Sequence, residues 1–150
     1  TLVNIESTKK DEIFNKAKIE LRVLNGKISF DNSIFVNNNI GLIEVSNSDL
    51  FLENDKLILT SNLSIDIKDI DGLFYFLNTS KKSRKDIKNI KLNIIYDFLS
   101  NQIELKNIKI NDNDVSSQFN NIAEGFIDIN SNNLTKSRKL LNELIDLYEG

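Results

Sequence analysis

Hydrophobic and polar residues alternate along several stretches of the chain. The alternation is clearest at residues 19–23, 63–67 and 90–98, where only Ile95 interrupts it. Successive side chains of a strand point to opposite faces of the sheet, so this period of two predicts strands with one buried and one solvated face. The same pattern recurs in shorter runs at residues 28–30, 43–45, 103–105, 108–110 and 127–129.

The segments between these predicted strands are short and carry turn-forming residues. Asn25-Gly26 is the strongest hairpin signal among them, because both residues tolerate positive φ. Further polar turns are predicted at residues 31–33, 37–39, 47–49, 54–55 and 100–101. Turns this short join antiparallel strands, since a parallel pair needs a crossover of about a dozen residues or more. The sequence therefore predicts a mainly β protein with a few helices, built on an antiparallel meander sheet that is curled or groove-like.

A helical spacing replaces the alternation near residues 69–78. The apolar residues there follow the i, i+3, i+4, i+7 spacing of a buried helix face, and Asp69 stands where an N-cap accepts backbone amide hydrogens. Tyr75 and Phe76 widen the apolar arc, so we expect this short helix to be covered on more than one side. The regularly spaced residues are Ile70, Leu73, Phe74 and Leu77.

A second, longer helix is predicted near residues 134–148. One stripe along it is apolar, so packing rather than intrinsic propensity should hold it in place. The stripe consists of Leu141, Leu144, Ile145 and Tyr148. A weaker helical pattern at residues 8–17 places Ile13, Phe14 and Ala17 inward.

The residue types exclude several kinds of catalysis. The chain of 150 residues has no Cys and no His, which removes Cys nucleophiles, Ser/His pairs and Cys/His zinc sites. Its five glycines are widely separated and form no phosphate loop, and its carboxylates fall mostly in turns or at the polar positions of strands. We therefore expect a single β-rich domain that is not an enzyme and holds no cofactor.

Two short stretches approach a metal-binding motif. Residues 67–72 end in Gly72 as part of an EF-hand loop would, but Ile67 and Asn78 stand where that loop needs an acidic residue and a Glu. Residues 111–114 are rich in Asn and Asp but lack a glycine turn and a distal Glu. We interpret the first stretch as a helix cap and the second as a polar turn, and we predict no metal site.

The net charge of −3 argues against general binding of nucleic acid, which usually requires a basic domain. One basic cluster nevertheless follows the first predicted helix. It has no interleaved aromatic residues, so we interpret it as a solvated loop that leads into the strand at Ile90. Contact with lipid headgroups or nucleic acid is the alternative for this cluster. Its residues are Lys81, Lys82, Arg84, Lys85, Lys88 and Lys91.

Membrane attachment has no signal in this chain. No apolar run approaches the roughly 20 residues that span a bilayer, and the first residues lack the basic-then-apolar pattern of a signal peptide. The chain begins at Thr1 and contains no Met, so we interpret it as a piece of a longer protein. We expect any membrane anchor to lie outside it.

The order of the predicted elements has a counterpart in a known family. A hairpin at 24–30 is followed by runs at 40–50 and 55–59, then by the stretch 65–71 with its aromatic helix and basic loop. A long strand ends at Asp97-Phe98, and a closing helix ends in Leu147-Tyr-Glu-Gly150. Over most of its length, from Lys18 to Gly150, the chain resembles the C-terminal portion of an AsmA-like protein.

This resemblance implies a large protein on the periplasmic side of a Gram-negative cell envelope, anchored in the inner membrane through a segment not present here. It implies long β-sheets curled into an apolar groove, and a role in outer-membrane biogenesis or in phospholipid transfer between membranes. The implied partners are phospholipid and other envelope proteins, without nucleic acid. The family contributes no catalytic residues and no cofactor.

An antiparallel sheet with one continuous apolar face must either close that face on a core or present it to a ligand. The candidate lipid-facing residues on this face are Ile65, Ile67, Leu92, Ile94, Tyr96 and Phe98. The alternative is a structural or protein-interaction β-domain whose helices seal the same face as a core. The two hypotheses differ in whether a groove wide enough for an acyl chain stays open along the sheet.

Overall fold

The computed structural model of the chain describes residues 1–6, 13–122 and 134–150. In these residues ten strands form one open sheet, accompanied by three α-helices and one short 3-10 helix. The strands are β1 (Leu2–Glu6), β2 (Lys16–Glu20), β3 (Arg22–Leu24), β4 (Lys27–Ser29), β5 (Ile34–Asn37), β6 (Gly41–Glu53), β7 (Lys56–Ile67), β8 (Asn89–Asp97), β9 (Gln102–Ile110) and β10 (Asn113–Asp114). The helices are α1 (Ile70–Leu77), α2 (Ser116–Ile122) and α3 (Leu134–Leu147), with the 3-10 helix at Lys81–Ser83.

The strands lie in the order β1-β2-β5-β6-β7-β8-β9-β10, and the β3–β4 hairpin joins the sheet through β6. Every strand pair within the described residues is antiparallel. From β5 to β10 consecutive strands pair as a meander, whereas β2 pairs with β5 because the hairpin between them pairs with β6. The predicted mainly β, antiparallel architecture with a few helices is confirmed.

Three hairpin turns lie together at one end of the sheet. The β6–β7 turn at residues 54–55 and the β8–β9 turn at residues 98–101 are neighbours, because the Phe98 amide donates to the Leu57 carbonyl at 3.0 Å. The β3–β4 turn joins them, since Ile28 of β4 pairs with Leu50 near the end of β6. We call this the hairpin end of the sheet. The opposite end, where α1, α2 and α3 pack, is the helix end.

The turn at Asn25-Gly26 has the predicted geometry. The φ angles of Asn25 and Gly26 are 52° and 74°, as a type I′ turn requires of its two central residues. Asn54 and Asp55 of the β6–β7 turn repeat this arrangement, with φ angles of 49° and 61°. Both hairpins therefore follow directly from local residue types.

The turn predicted at residues 47–49 is wrong, because these residues lie inside β6 as a β-bulge that shifts its register with β7. Ser48 is buried there, and its amide and hydroxyl donate to Asp31 Oδ1 at 2.7 and 2.8 Å. The Ser48 hydroxyl oxygen also accepts a hydrogen bond from the Phe30 amide at 2.8 Å. These bonds replace the interrupted ladder, so the strand continues through three polar residues.

The strand predicted at residues 19–23 is wrong as a single element. The chain ends β2 at Glu20 and begins β3 at Arg22, and the two strands pair with different neighbours. At the break, the Leu21 amide donates to the Thr1 carbonyl and the Glu20 amide donates to Ser33 Oγ. Hydrophobic and polar residues continue to alternate across Leu21, but the strand pairing changes there. Periodicity alone therefore did not predict the break between β2 and β3.

The helix predicted at residues 8–17 is wrong at its C-terminal end, which belongs to β2. Ala17 pairs with Ile5 of β1 on one side and with Phe35 of β5 on the other. Backbone pairing on both sides outweighs a weak helical spacing, since propensity is readily overridden by tertiary context. The rest of that prediction at residues 8–12, and the strand predicted at 127–129, lie outside the described residues.

The helices α1 and α3 confirm the two stronger helix predictions. At the start of α1 the Asp69 carboxylate accepts a hydrogen bond from the Gly72 amide at 3.0 Å, and Asn78 ends the helix in the left-handed conformation. The first turn of α1 lies directly on the β5–β6 connection, where a Cβ added at Gly72 would be 1.7 Å from the Asn39 carbonyl oxygen. Glycine is therefore required for α1 to approach the sheet this closely.

The hydrophobic core lies at the helix end, between the three α-helices and the adjoining part of the sheet. Within α1, Phe76 packs beneath the Arg138 guanidinium at 5.0 Å from the ring centroid, but Tyr75 is 85% exposed. The expectation that both aromatics would be covered is therefore wrong for Tyr75, which lies on the opposite side of the helix from the apolar stripe. The buried cluster consists of Leu73, Phe74, Leu77, Ile87, Ile108, Ile110, Val115, Phe119, Leu140, Leu144, Ile145 and Tyr148.

Candidate functional site

One face of the sheet is apolar from the helix end to the hairpin end, except for the buried Ser61 of β7, which pairs with Ile94. Ile65 of β7 pairs with Ile90 of β8, and Leu59 pairs with Tyr96 nearer the hairpin end. Because side chains alternate along a strand, the residues two positions away share the same face. Phe98 stacks edge-on against Tyr96 with ring centroids 4.7 Å apart. This face therefore carries all six candidate lipid-facing residues, Ile65, Ile67, Leu92, Ile94, Tyr96 and Phe98.

A cavity of about 260 Å³ lies between this face and the helices α1 and α3. Nearly all of its lining is aliphatic or aromatic, with Asn37 contributing the polar side chain. Apolar cavities of this kind stay dry, and one of about 150 Å³ is large enough to take up benzene. The lining residues are Ile13, Phe14, Asn37, Ile40, Gly41, Leu42, Ile43, Ile65, Ile67, Leu73, Phe76, Leu77, Ile90, Leu92, Leu105, Ile108, Ile110, Leu141, Leu144 and Ile145.

The apolar face thus has two parts. The covered half packs against the buried cluster or lines the cavity, and consists of Ile65, Ile67, Ile90, Leu92, Leu105, Ile108 and Ile110. The uncovered half continues toward the hairpin end, and consists of Leu50, Leu52, Leu57, Leu59, Ile94, Tyr96, Phe98 and Ile103. Within the described part of the chain, no residue of the uncovered half belongs to the buried cluster or packs against it. The six candidates divide between the two halves, three in each.

Polar contacts hold the helices over the cavity. Asn142 of α3 donates its side-chain amide to the Leu77 carbonyl at the end of α1, at 2.8 Å, and accepts a hydrogen bond from Thr79 Oγ1 at 2.6 Å. Because Asn142 lies between Leu141 and Leu144 of the cavity lining, this pair of bonds fixes α3 against α1 directly beside the cavity. Sequence reasoning did not single out Asn142, since Asn is abundant throughout the chain.

The basic cluster contributes to this structure more than predicted. Lys85 donates to the carbonyls of Asp146, at 2.9 Å, and of Tyr148, at the C-terminal end of α3. An ammonium at this position complements the unpaired carbonyls and the dipole of the helix. Arg84 lies over the Phe74 ring at 5.5 Å from its centroid. The solvated-loop prediction therefore holds for the exposed residues Lys81 and Lys82, but Lys85 and Arg84 stabilise the helix end.

Phe14 and Ile13 reach the cavity from the segment just before β2. Both side chains line the cavity as their predicted inward orientation requires, but Ile13 is also 48% exposed, and residues 16–17 belong to β2 rather than to a helix. The Phe14 ring lies 5.4 Å from that of Phe35 on β5. The irregular segment that leads into β2 therefore delivers these side chains to the cavity.

The Asn/Asp-rich stretch at residues 111–114 forms the predicted polar turn only at residues 111–112, whereas residues 113–114 form β10. The Asn111 side chain accepts from the Lys88 amide at 2.7 Å, and Asp112 pairs with the Lys91 ammonium at 2.7 Å. The hydrogen bond and charge of Lys91 lower the pKa of Asp112. Asp114 accepts from the Ser116 amide at 2.8 Å where α2 begins, and the hydrogen bonds from Ser116 lower the pKa of Asp114. These carboxylates therefore have structural partners.

The described residues contain no group of three or more acidic, Cys or His side chains placed to hold a metal ion. Among them, no helix combines the length and apolar character needed to cross a bilayer. Compared with known proteins, the chain matches no family model, no curated protein and no solved structure. Proposals about function therefore depend on the apolar face and its cavity.

Proposed function

We propose that this chain is a non-enzymatic module that shields phospholipid acyl chains on the apolar face of its sheet. The observation that supports this proposal is the cavity beneath α1 and α3, with the uncovered half extending from it on the same face. Leu92 lines the cavity, and the next residues on its face, Ile94 and Tyr96, are only half-buried. An acyl chain seated in the cavity would therefore find a continuous apolar surface beyond it.

Apolar contact supplies the binding energy in this proposal. Each methylene group removed from water contributes about 0.8 kcal/mol, so much of an acyl chain must be shielded to offset the entropic cost of association. The lining places Ile65, Ile67 and Leu92 on the sheet side and Leu144 and Ile145 on the helix side. A lipid would enter tail first, because Asn37 is the polar side chain in this lining.

The biological setting of the proposal comes from the resemblance to the AsmA-like family. In that setting the chain belongs to an envelope protein on the periplasmic side of a Gram-negative cell, with its inner-membrane anchor in another segment. Its role would be outer-membrane biogenesis or phospholipid transfer between membranes, with phospholipid and other envelope proteins as partners. These parts of the proposal depend on the order of the elements rather than on the cavity.

The second candidate function is a structural or protein-interaction domain with a sealed core. The observation that favours it is the buried cluster, in which Ile108 and Ile110 are 1% and 0% exposed beneath the helices. Asn142 and Lys85 fasten α3 in place over this cluster. In this alternative the cavity is a packing defect, and no lipid occupies it.

A pair of cavity-filling substitutions tests the two functions. The double variant Ile65→Phe/Leu92→Phe enlarges two half-buried residues that line the cavity from adjacent strands. The matched control is Ile58→Phe/Ile95→Phe, which makes the same change on the same two strands but on the opposite face. The readouts are fluorescence of cis-parinaric acid with each purified protein and mass spectrometry of lipids retained after detergent-free purification.

Lipid shielding predicts that the unsubstituted chain binds the probe, that Ile65→Phe/Leu92→Phe loses binding by about tenfold or more, and that the control keeps it. Circular dichroism and urea unfolding should show that both variants remain folded. Absence of probe binding and of retained lipid in the unsubstituted chain would instead support the sealed-core domain. Equal binding by all three proteins would also count against the cavity as the site.

A further inference from the structure

The most exposed aliphatic side chains of the described residues gather at the hairpin end. Val23 and Leu24 lie in the β3–β4 hairpin and are 75% and 72% exposed. Leu52 precedes the β6–β7 turn and is 75% exposed, and Leu99 in the β8–β9 turn is 73% exposed. Each of the three neighbouring hairpins therefore presents at least one large aliphatic side chain to solvent, and Phe98 adds an aromatic ring that is 44% exposed.

We propose that these three hairpin tips insert together into the interfacial region of a phospholipid bilayer, so that the hairpin end is where the sheet meets its lipid source. This inference rests on the proposed function and names the surface from which an acyl chain reaches the apolar face. The tip residues are Val23, Leu24, Leu52, Phe98 and Leu99.

The shape and composition of the tips favour a bilayer over a protein partner. The exposed residues lie in or next to three separate turns rather than in a groove or a flat patch. They are aliphatic apart from Phe98, whereas the residues that dominate protein–protein affinity are enriched in Trp, Tyr and Arg and depleted in Leu and Val. A bilayer is deformable and accepts separate aliphatic side chains without a complementary surface.

The charges at the hairpin end indicate how the contact works. Lys27 pairs with Asp49 at 3.1 Å, and Lys56 pairs with Asp97 at 3.1 Å. Both ammonium groups already have carboxylate partners, and Glu53 and Asp55 at the β6–β7 turn add negative charge, so the tips carry no excess positive charge to attract anionic headgroups. The bilayer that fits this surface is therefore a neutral, zwitterionic one, and binding comes from apolar insertion.

The tips are also continuous with the apolar face. Leu52 pairs with Leu57, and the Leu57 carbonyl accepts a hydrogen bond from the Phe98 amide, so β6, β7 and β8 of the uncovered half all run directly into the tips. From the tips, Tyr96 and Ile94 continue the same face toward Leu92 and the cavity. A lipid tail leaving the bilayer at the tips thus meets apolar side chains along the whole length of β8.

The test measures binding of the chain to phosphatidylcholine vesicles by flotation. The variant Leu52→Ser/Leu99→Ser removes two solvent-exposed leucines and leaves the buried cluster untouched. The matched control is Tyr75→Ser, which removes the 85% exposed side chain at the helix end. We expect the unsubstituted chain and the control to float with the vesicles. Vesicle affinity of Leu52→Ser/Leu99→Ser should fall about a hundredfold, because burial of each of the two leucines is worth about tenfold in affinity.

Three results of the vesicle experiment would overturn this inference. They are failure of the unsubstituted chain to bind phosphatidylcholine vesicles, equal binding by Leu52→Ser/Leu99→Ser, and binding that requires added phosphatidylglycerol. Size-exclusion chromatography tests whether a second copy of the chain, rather than a bilayer, contacts the tips. If the unsubstituted chain dimerises and Leu52→Ser/Leu99→Ser is monomeric, the tips form a contact between two copies, and the bilayer proposal is wrong.

The proposal that the cavity shields acyl chains and the proposal that the tips insert into a bilayer can be contradicted independently of each other. The cavity-filling variant Ile65→Phe/Leu92→Phe should lose cis-parinaric acid binding and keep vesicle binding, since its changes lie away from the tips. Leu52→Ser/Leu99→Ser should lose vesicle binding and keep most of its cis-parinaric acid binding, because neither residue lines the cavity. Loss of both activities in the same variant would show that the tips and the cavity are not separate contacts, and would overturn the tip assignment.

Discussion

The two halves of the apolar face differ in what covers them, although the same strands build both. In the covered half Ile110 is 0% exposed and Ile108 is 1% exposed beneath the helices. In the uncovered half Ile103 of the same strand is half-buried, and Leu52 near the hairpin end is 75% exposed. Alternation along the strands creates the face, and the helices that follow β7 and β10 determine which part of it becomes core.

The largest expected effect comes from truncating the covered half. Ile110→Ala should lower the free energy of unfolding by about 2–5 kcal/mol, because it leaves a cavity among close-packed side chains. Ile103→Ala, on the same strand in the uncovered half, should cost about 1 kcal/mol, since its side chain is already partly in water. Urea unfolding monitored by circular dichroism gives both values. Equal costs would mean that the two halves are not different environments.

The seating of α1 on the sheet gives the next largest effect. Gly72→Ala places a Cβ against the Asn39 carbonyl, and it should lower stability by about 1–3 kcal/mol as the helix shifts away. Asp71→Ala changes the neighbouring exposed position and should cost only a few tenths of a kcal/mol. Thermal unfolding of the two variants compares them. If Gly72→Ala does not lower thermal stability, α1 covers the face without close backbone contact.

Removing the two hydrogen bonds of Asn142 beside the cavity should have an intermediate effect on stability. Asn142→Ala leaves the Leu77 carbonyl and the Thr79 hydroxyl without their partner and should cost about 1–2 kcal/mol. A double-mutant cycle with Thr79→Val should show that the two changes are not additive. Amide hydrogen exchange should rise in α3 and remain unchanged in the turn at residues 54–55. Increased exchange in both α3 and the turn at residues 54–55 would mean that the Asn142 hydrogen bonds do not act on α3 alone.

The smallest expected effect is a loss of stability at the hairpin end when the pH is lowered. Burial raises the pKa of Asp97, but hydrogen bonds from Lys56, Ser100 and Leu99 outweigh it and lower the pKa to about 2. A carboxylate with a lowered pKa stabilises the fold fully above its ordinary pKa of 3.8. That contribution is lost as the pH falls from about 4 to about 2.

The control for this acid effect is Asp97→Asn, which should be less stable at neutral pH and show a shallower loss of stability between pH 4 and 2 than the unsubstituted chain. Chemical denaturation at a series of pH values measures both curves. Parallel curves would mean that Asp97 does not link the pH to the stability of the hairpin end.

Several structural features could be predicted from local residue patterns. The Asn25-Gly26 turn and the Asp69 cap depend on backbone preferences of a few adjacent residues, and both are found as expected. The bulge at residues 47–49 could not be predicted in this way, because the Ser48 hydrogen bonds reach Asp31 across the sheet. The break at Leu21 has the same cause, since its amide donates to Thr1.

The candidate site also contains features that local patterns predict and features that they do not. Alternation alone identified Ile65, Leu92 and Tyr96 as neighbours on one face, because the period of a strand is fixed by its backbone. It did not distinguish core from exposed surface, and it did not identify Asn142 or Lys85 as contacts that hold α3 in place. Their lipid-facing role stays a prediction until the cavity-filling variants are measured.

The amino-acid sequence by itself determined the strands, the tight turns, the two main helices and the single apolar face, because each depends on residues within a few positions of one another. The tertiary structure decided where the helices lie on that face, and so where the cavity and the exposed hairpin tips occur. Burial is a property of contacts between distant segments, such as Gly72 with Asn39 and Asn142 with Leu77. No local pattern specifies which segment will cover an apolar face, because every covering segment satisfies the same alternation.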